Sequence, residues 1–400
     1  MIVRKAFKFQ LQVQPEQRRL LSQAAGCSRY VWNRALALQK ERLAAGESCL
    51  SYTKLAALLV TWKQEAQASF LATVHSQPLQ QTLMHLDRAL KEAFDKQSPK
   101  QFPQHKKKGR HDSFRYPQGF KLDEANGRIY LPKIGWVRYR KSRAITGTPK
   151  NVTVSRSCGQ WYVAIQTEEV VASPTHPSVS DVGIDVGIAK FATLSTGKPY
   201  DPIHALKRYE RKLAKLQREL SRKQKFSQNW RKLKSAIGRL HQRIARMRQD
   251  HLHKTSTEIS KNHAMIAIED LRVANMSRSA RGTVEAPGKH VRAKAGLNKS
   301  ILDQGWHEFR RQLEYKQAWS GGILVAVPPQ HTSQRCSDCG HVAAENRPTQ
   351  ARFCCQACGY MDNADVNAAK NILAAGHAVL ACGGSGVSRP VKQEPTEGAA

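Results

Sequence analysis

VGIDVGIAKFATLST, residues 182–196, is the stretch on which the reading of this chain turns. It gives two adjacent strands, and in the first an acid, Asp185, sits between Ile184 and Val186. A carboxylate in an otherwise apolar strand is costly to bury without a partner, and a metal ion is the simplest one. Two more acids stand at comparable places. Glu269 ends the apolar strand MIAIED (265–270), and Asp365 opens the helix-like run DVNAAKNIL (365–373). An acid on a first strand, an acid ending a later strand and an acid on a final helix, in that order, is the layout of a ribonuclease H-like fold. Three such carboxylates brought together hold two hard divalent cations about 3.5–4 Å apart. Carboxylate ligands suit Mg²⁺ or Mn²⁺ rather than zinc. Each acid alone is weak evidence. An aspartate opening a helix is usually a cap, and Asp270 and Asp362 are near rivals. The joint order carries the reading.

Just before Asp365 lie two Cys-x-x-Cys pairs, in TSQRCSDCG (332–340) and CQACG (355–359). Cys336, Cys339, Cys355 and Cys358 have the spacing of a closed tetrahedral zinc site, structural because no position is left open. Cys354 competes with Cys355, but its spacing to Cys358 fits the knuckle less well. Cys27, Cys49, Cys158, Cys354 and Cys382 are scattered and odd in number. That argues against a disulfide framework and for a reducing cytosol.

The formal net charge is +34 over 400 residues, with a sequence pI near 10.1. Such an excess calls for a polyanionic partner, and nucleic acid is the first choice. No apolar run is long enough to span a bilayer. The start, MIVRKAFKF, has no apolar signal region. A membrane partner is therefore not expected.

The first half is a separate arrangement. Phe7, Phe9, Leu11 and Val13 alternate with polar residues in an opening strand. Residues 15–98 are helical, with breaks near Gly26, Gly46 and Pro78. Residues 99–118 form a basic, proline-bounded loop whose Phe102, Phe114 and Tyr116 suit stacking on bases. Strands follow to residue 172. With the first strand (1–14), segment 99–172 is expected to close a small antiparallel β-barrel, residues 15–98 being an insertion. Residues 173–180 are a linker. The second domain begins at 181, with a basic helical hairpin at 203–254 and a mobile loop at 272–297. The knuckle spans 336–358, a last segment 359–382, and the tail 383–400 is read as disordered. The fold class is thus α+β and multidomain.

These segments carry a resemblance. PEQRRLLSQAAGCSRYVWNRAL (15–36), FPQHKKKGRHDSFRY (102–116), GIDVGIAKFATLSTG (183–197), IEDLRVANM (268–276), LNKSILDQGWHEF (297–309), VPPQHTSQRCSDCG (327–340) and CGYMDNADVNAAKNI (358–372) occur in the order found in the TnpB family. The chain resembles these proteins of bacterial insertion sequences, long described as transposases, over nearly its whole length. The resemblance implies an RNA-guided, metal-dependent DNA endonuclease similar to miniature type V CRISPR effectors. Its RuvC-like α/β nuclease domain (181–335 and 359–382) would be interrupted by the zinc knuckle. It implies catalytic roles for Asp185, Glu269 and Asp365, which would bind two Mg²⁺ or Mn²⁺ ions, and one structural Zn²⁺ on Cys336, Cys339, Cys355 and Cys358. It implies a wedge-like barrel and a helical recognition insertion. Their partners would be a guide RNA and double-stranded target DNA bearing a short flanking motif, in the bacterial cytosol at the nucleoid. Two other readings remain: a transposase that breaks and joins DNA strands itself, and a non-catalytic nucleic-acid-binding regulator of transposition.

Overall fold

The computed structural model describes residues 1–110 and 112–382; the expected disordered tail, 383–400, lies outside them. The chain divides into two compact units, Met1–Ala172 and a second beginning at Ser173. Each combines helices with a sheet, so the chain is a mixed helix-and-sheet protein. No helix among the described residues is long and apolar enough to cross a membrane.

The first unit opens with β1 (Ile2–Gln12), whose Phe7, Phe9 and Leu11 are buried as the alternation requires. Helices α1 (Pro15–Ala44), α2 (Tyr52–Gln64) and α3 (Ser76–Phe94) follow, with a 3-10 turn at Ala66–Thr73. Proline opens α1, where its missing N–H costs nothing. Contrary to expectation, α1 runs unbroken through Gly26: one glycine costs a helix only about 1 kcal/mol, which a thirty-residue span with a buried face absorbs. Strands β2 (Ser113–Tyr116), β3 (Lys121–Asp123), β4 (Arg128–Leu131), β5 (Gly135–Tyr139), β6 (Thr148–Ser157) and β7 (Gln160–Val170) complete an antiparallel sheet of order β2-β6-β7-β1-β5-β4-β3.

That sheet is open, not the expected closed barrel. β1 pairs β7 over Ile2–Gln10 and β5 only over Leu11–Gln12, while the edge strands β2 and β3 pair inward alone among the described residues. The helices supply what an opposite wall would have supplied. Leu21, Leu36, Leu55, Leu79 and Leu83 share one core with Phe9, Val152, Val154, Trp161 and Ile165.

The basic segment is also corrected. Phe114 and Tyr116 lie in β2 and are buried, and Phe102 packs against the same core. These rings are core side chains, not a stacking platform. The adjacent loop is anchored too: Trp32 Nε1 donates to Gln104 O, and Asn33 exchanges two hydrogen bonds with the Lys106 backbone.

The second unit has a five-stranded sheet of order β10-β9-β8-β11-β12. Here β8 is Asp181–Val186, β9 Ala192–Leu194, β10 Pro199–Tyr200, β11 Met265–Glu269 and β12 Ile323–Val327. β8, β11 and β12 run parallel; β9 and β10 turn back antiparallel. The parallel strands read as near-continuous apolar runs because helices cover the sheet. Between β10 and β11 stand α4 (Ala205–Ser221) and α5 (Gln228–Asn262). They pack through Leu213, Leu240 and Ile244, and α5 extends past the expected limit because Leu252 and Ile259 enter the sheet's core. After β11 come the short α6 (Val273–Met276), α7 (Val291–Gln304) and α8 (Trp306–Ser320). The segment expected to be a mobile loop therefore holds α6 and the start of α7. α7 and α8 are divided at Gly305, which has φ 76°. The hairpin β13 (Arg352–Cys354) and β14 (Met361–Asn363) leads into α9 (Ala364–Ala381).

Glycine permits α9 to lie on the sheet. A Cβ on Gly183 in β8 would stand 2.0 Å from Ala369 O, and one on Gly376 would stand 2.7 Å from Ala267 Cβ of β11.

Candidate active site and metal centre

The sheet's parallel order sets two of the three acids side by side. Ile184 of β8 is paired with Ile268 of β11, so the next residues, Asp185 and Glu269, are neighbours at the carboxyl ends of adjacent strands. Asp365 arrives from the first turn of α9, which crosses the same strands. It is not the helix cap: Asn363 is, its side chain accepting from the N–H groups of Asp365 and Val366. The Asp365 carboxylate is thereby left free of the local duty that would have explained it.

The electrostatics follow from this convergence. Burial, then the negative charges of Glu269 and Asp365, push the Asp185 carboxyl up to about 7, against the pull of Arg347. Burial also raises Glu269, while Thr332 Oγ1 donates to Glu269 Oε1 at 2.6 Å. Asn371 of α9 in turn donates to Thr332 O. Arg347 Nη2 stands 3.4 Å from Asp365 Oδ1. Three carboxylates thus gather on a chain that is otherwise strongly cationic, with the Arg347 guanidinium beside Asp365 and acting on Asp185. Such a donor set fits hard divalent cations. The rivals are occupied elsewhere. Asp270 pairs with Arg310, and Asp362 accepts from Lys370 Nζ at 2.8 Å and Tyr360 OH at 2.7 Å.

The four cysteines form a second centre. Their sulfurs lie within 4.8 Å of one another, Cys336 and Cys355 buried, Cys339 and Cys358 exposed. Each pair sits on the same turn: Gly340 N–H donates to Cys336 O and Gly359 N–H to Cys355 O, both glycines at positive φ. Sulfur separations of 3.7 Å (Cys336–Cys358) and 3.5 Å (Cys339–Cys355) approach the edge of about 3.8 Å that a tetrahedron with metal–sulfur bonds of about 2.3 Å requires. The backbone N–H of Cys358 draws the Cys355 thiol below its usual range, toward the thiolate a metal needs. Cys354 is outside the cluster. Asn346, fully buried, donates to Gln334 O and His341 O and accepts from Gln356 N–H, tying the two knuckles together.

Arg347 and Thr332 were missed from sequence. Both reach the acids only through the tertiary path of the knuckle segment, and neither stands in a spacing that signals a role.

Comparison with known proteins gives three family matches: "Probable transposase" over residues 160–280, "Cas12f1-like, TNB domain" over 306–372 and "Helix-turn-helix domain" over 1–48. The last span is β1 followed by the single helix α1 here. The chain is 59% identical over 393 residues to "Putative RNA-guided DNA endonuclease InsQ" of Escherichia coli K12, covering 98% of this chain and 97% of the relative. It is 36% identical over 389 residues to "Putative RNA-guided DNA endonuclease" of Streptomyces pristinaespiralis, covering 95% and 91%. Among solved structures, CasPhi-2 (Cas12j) bound to crRNA aligns at a TM-score of 0.45 and 13% identity, over 92% of this chain and 97% of that one.

Proposed function

Because the chain belongs to the TnpB family, the IS605 OrfB proteins, we propose that it is an RNA-guided DNA endonuclease of a transposable element, with one RuvC-like active site. The observation that carries the site is the convergence of Asp185, Glu269 and Asp365 at the carboxyl ends of two parallel strands. Its support is physical: burial first, and then the charges of Glu269 and Asp365, raise the Asp185 carboxyl to about 7, and bound cations would offset both the desolvation and the repulsion.

Asp185, Glu269 and Asp365 would hold two Mg²⁺ or Mn²⁺ ions. Bound there, such ions supply Lewis-acid chemistry for phosphodiester hydrolysis, a nucleophile at neutral pH and charge stabilisation at the leaving oxygen. The chain's own residues do the positioning. Thr332 fixes one oxygen of Glu269. The Asn363 cap fixes the first turn of α9 and with it Asp365. Arg347, hydrogen-bonded to Gln350 O and beside Asp365, offers a guanidinium to a phosphate oxygen. Cys336, Cys339, Cys355 and Cys358 would hold one structural Zn²⁺, which shapes the segment that delivers Thr332, Arg347 and Asp365.

In this reading the open sheet of 1–14 and 99–172, with its helical insertion 15–98, serves guide RNA and the motif flanking a double-stranded target. The nuclease comprises 181–335 and 359–382, with the knuckle 336–358 between. The protein works in the bacterial cytosol at the nucleoid. Guide-programmed plasmid cleavage by single alanine variants tests it. Asp185→Ala should lower cleavage about a thousandfold or more while leaving RNA binding intact, since several kcal/mol of transition-state stabilisation are lost. Near-normal cleavage would refute the site. The family description "Probable transposase" keeps one rival, strand joining by the same carboxylates; purified protein that joins 3′ ends without RNA would establish it instead.

A further inference from the structure

The turn between α4 and α5, residues 222–227, is built unlike an ordinary surface turn. Phe226 has φ 68°, the left-handed region that favours glycine, and the residue is 70% exposed. A large aromatic is thus placed where both backbone sterics and hydration disfavour it. The turn is nevertheless fixed. Ser227 caps α5, its Oγ accepting from Trp230 N–H, and Ser227 N–H donates to Gln224 O. The Phe226 and Trp230 rings stand 5.5 Å apart, tilted by 53°, and Lys234 Nζ lies 4.8 Å from the centre of the Trp230 ring. Mutual cover of the two rings does not explain the turn, because most of Phe226 stays in water.

The surroundings supply the charge. Residues 220–249 contain ten Lys and Arg and no Asp or Glu. Arg222, Lys223, Lys225, Arg231 and Lys232 lie at the tip, all exposed, and no carboxylate pairs with them among the described residues. An exposed phenyl ring beside a half-buried indole, with unpaired cations around them, has the two elements of a single-strand platform, a π-face for the base and cations for the phosphates flanking it.

We propose that this hairpin tip is a stacking site for an unpaired nucleotide of folded RNA. RNA is the occupant because its loops and bulges present splayed bases permanently, and such bases are what aromatic side chains take up. Duplex DNA keeps its bases stacked inside. The site adds to the proposed function and rests on it only for the class of partner.

The test uses the full chain, freed of nucleic acid at high salt, and a short RNA hairpin with 4-thiouridine in its loop. Affinity is measured across a salt series, and long-wave ultraviolet crosslinks are mapped by mass spectrometry. Phe226→Gly is the main variant because glycine relieves the backbone and leaves the turn folded; Trp230→Ala is the second. The wild type should crosslink on the segment bearing Phe226 and Trp230. Each variant should lose that crosslink and bind about tenfold more weakly, the share of one stacked base. The salt slope should stay unchanged, because no phosphate contact is removed.

Unchanged affinity with crosslinks elsewhere would overturn the tip site alone. A DNA hairpin of the same sequence that binds equally tightly, and equally through Phe226, would overturn the choice of RNA. Phe226-dependent binding to phosphatidylserine vesicles, with RNA indifferent, would assign the tip to a membrane surface. Failure of RNA to bind even at low salt would remove both this site and the guide-RNA reading.

Discussion

At the scale of single residues, two glycines show how differently the same residue type can be used. Gly183 is a contact requirement: a methyl there meets the Ala369 carbonyl, backbone of the helix that carries Asp365. Gly183→Ala should destabilise the second unit by about 1–3 kcal/mol or more through overpacking. Gly26 sits within α1, where an added Cβ meets only Arg29 Nη2 at 3.8 Å. Gly26→Ala should stabilise the first unit by about 0.5–1 kcal/mol. Denaturant titrations of the two variants check both signs, and a stabilising Gly183→Ala would contradict the packing described for α9. The sequence exposed Asp185 because a charge among aliphatics is conspicuous in one dimension. It hid Arg347, whose neighbours 345 and 346 say nothing of an acid eighteen residues on.

At the scale of elements, the knuckle and the α5–α8 contact each make a measurable claim. The proposed zinc site predicts one zinc per chain by elemental analysis of the wild type and none in Cys339→Ser, whose residues 330–362 should also open to protease. A variant that keeps its zinc and resists proteolysis would overturn the ligand set. In α8, Lys316 Nζ donates to Ser256 Oγ, Thr257 Oγ1 and His253 O of α5. Burial holds its amine down to about 8 from an ordinary value of 10.5. Between those values the unfolded chain binds the extra proton, so this residue's contribution makes stability rise with pH through that window. Lys316→Met should lack that rise; parallel stability curves for the two proteins from pH 7 to about 10.5 would show the amine to be unperturbed. The basic helical hairpin expected at 203–254 corresponds to α4 and α5. Sequence reasoning lost β2, because the Lys, Arg and Pro around Phe114 and Tyr116 outweigh a four-residue alternation, and only contact with α1 and α3 reveals those rings as core.

At the scale of the whole molecule, charge is the dominant property. A net +34 should hold RNA through purification at moderate salt, and log affinity should fall linearly with log salt, by about 0.7 per single-strand phosphate neutralised. Binding indifferent to salt would contradict a backbone-driven interaction. Strand order explains what the sequence left out at this scale. Alternation identified β1 and β7 separately, but nothing local stated that the sheet stays open, since closure depends on where the helices' leucines go. The pairing of β1 with β7 also bears on how the chain is made. Ile2 lies opposite Val170, and the Met1 amine donates to Val171 O at 2.7 Å. Once β1 has left the ribosome it therefore waits for one of the last segments of its unit, roughly 10–30 s of synthesis at ordinary elongation rates. Throughout that interval Phe7, Phe9 and Leu11 have only the nascent helices to cover them, and the strand edge is open to any other chain. Holding chaperones that bind short apolar segments should meet this protein at β1 and let go once residue 170 has emerged.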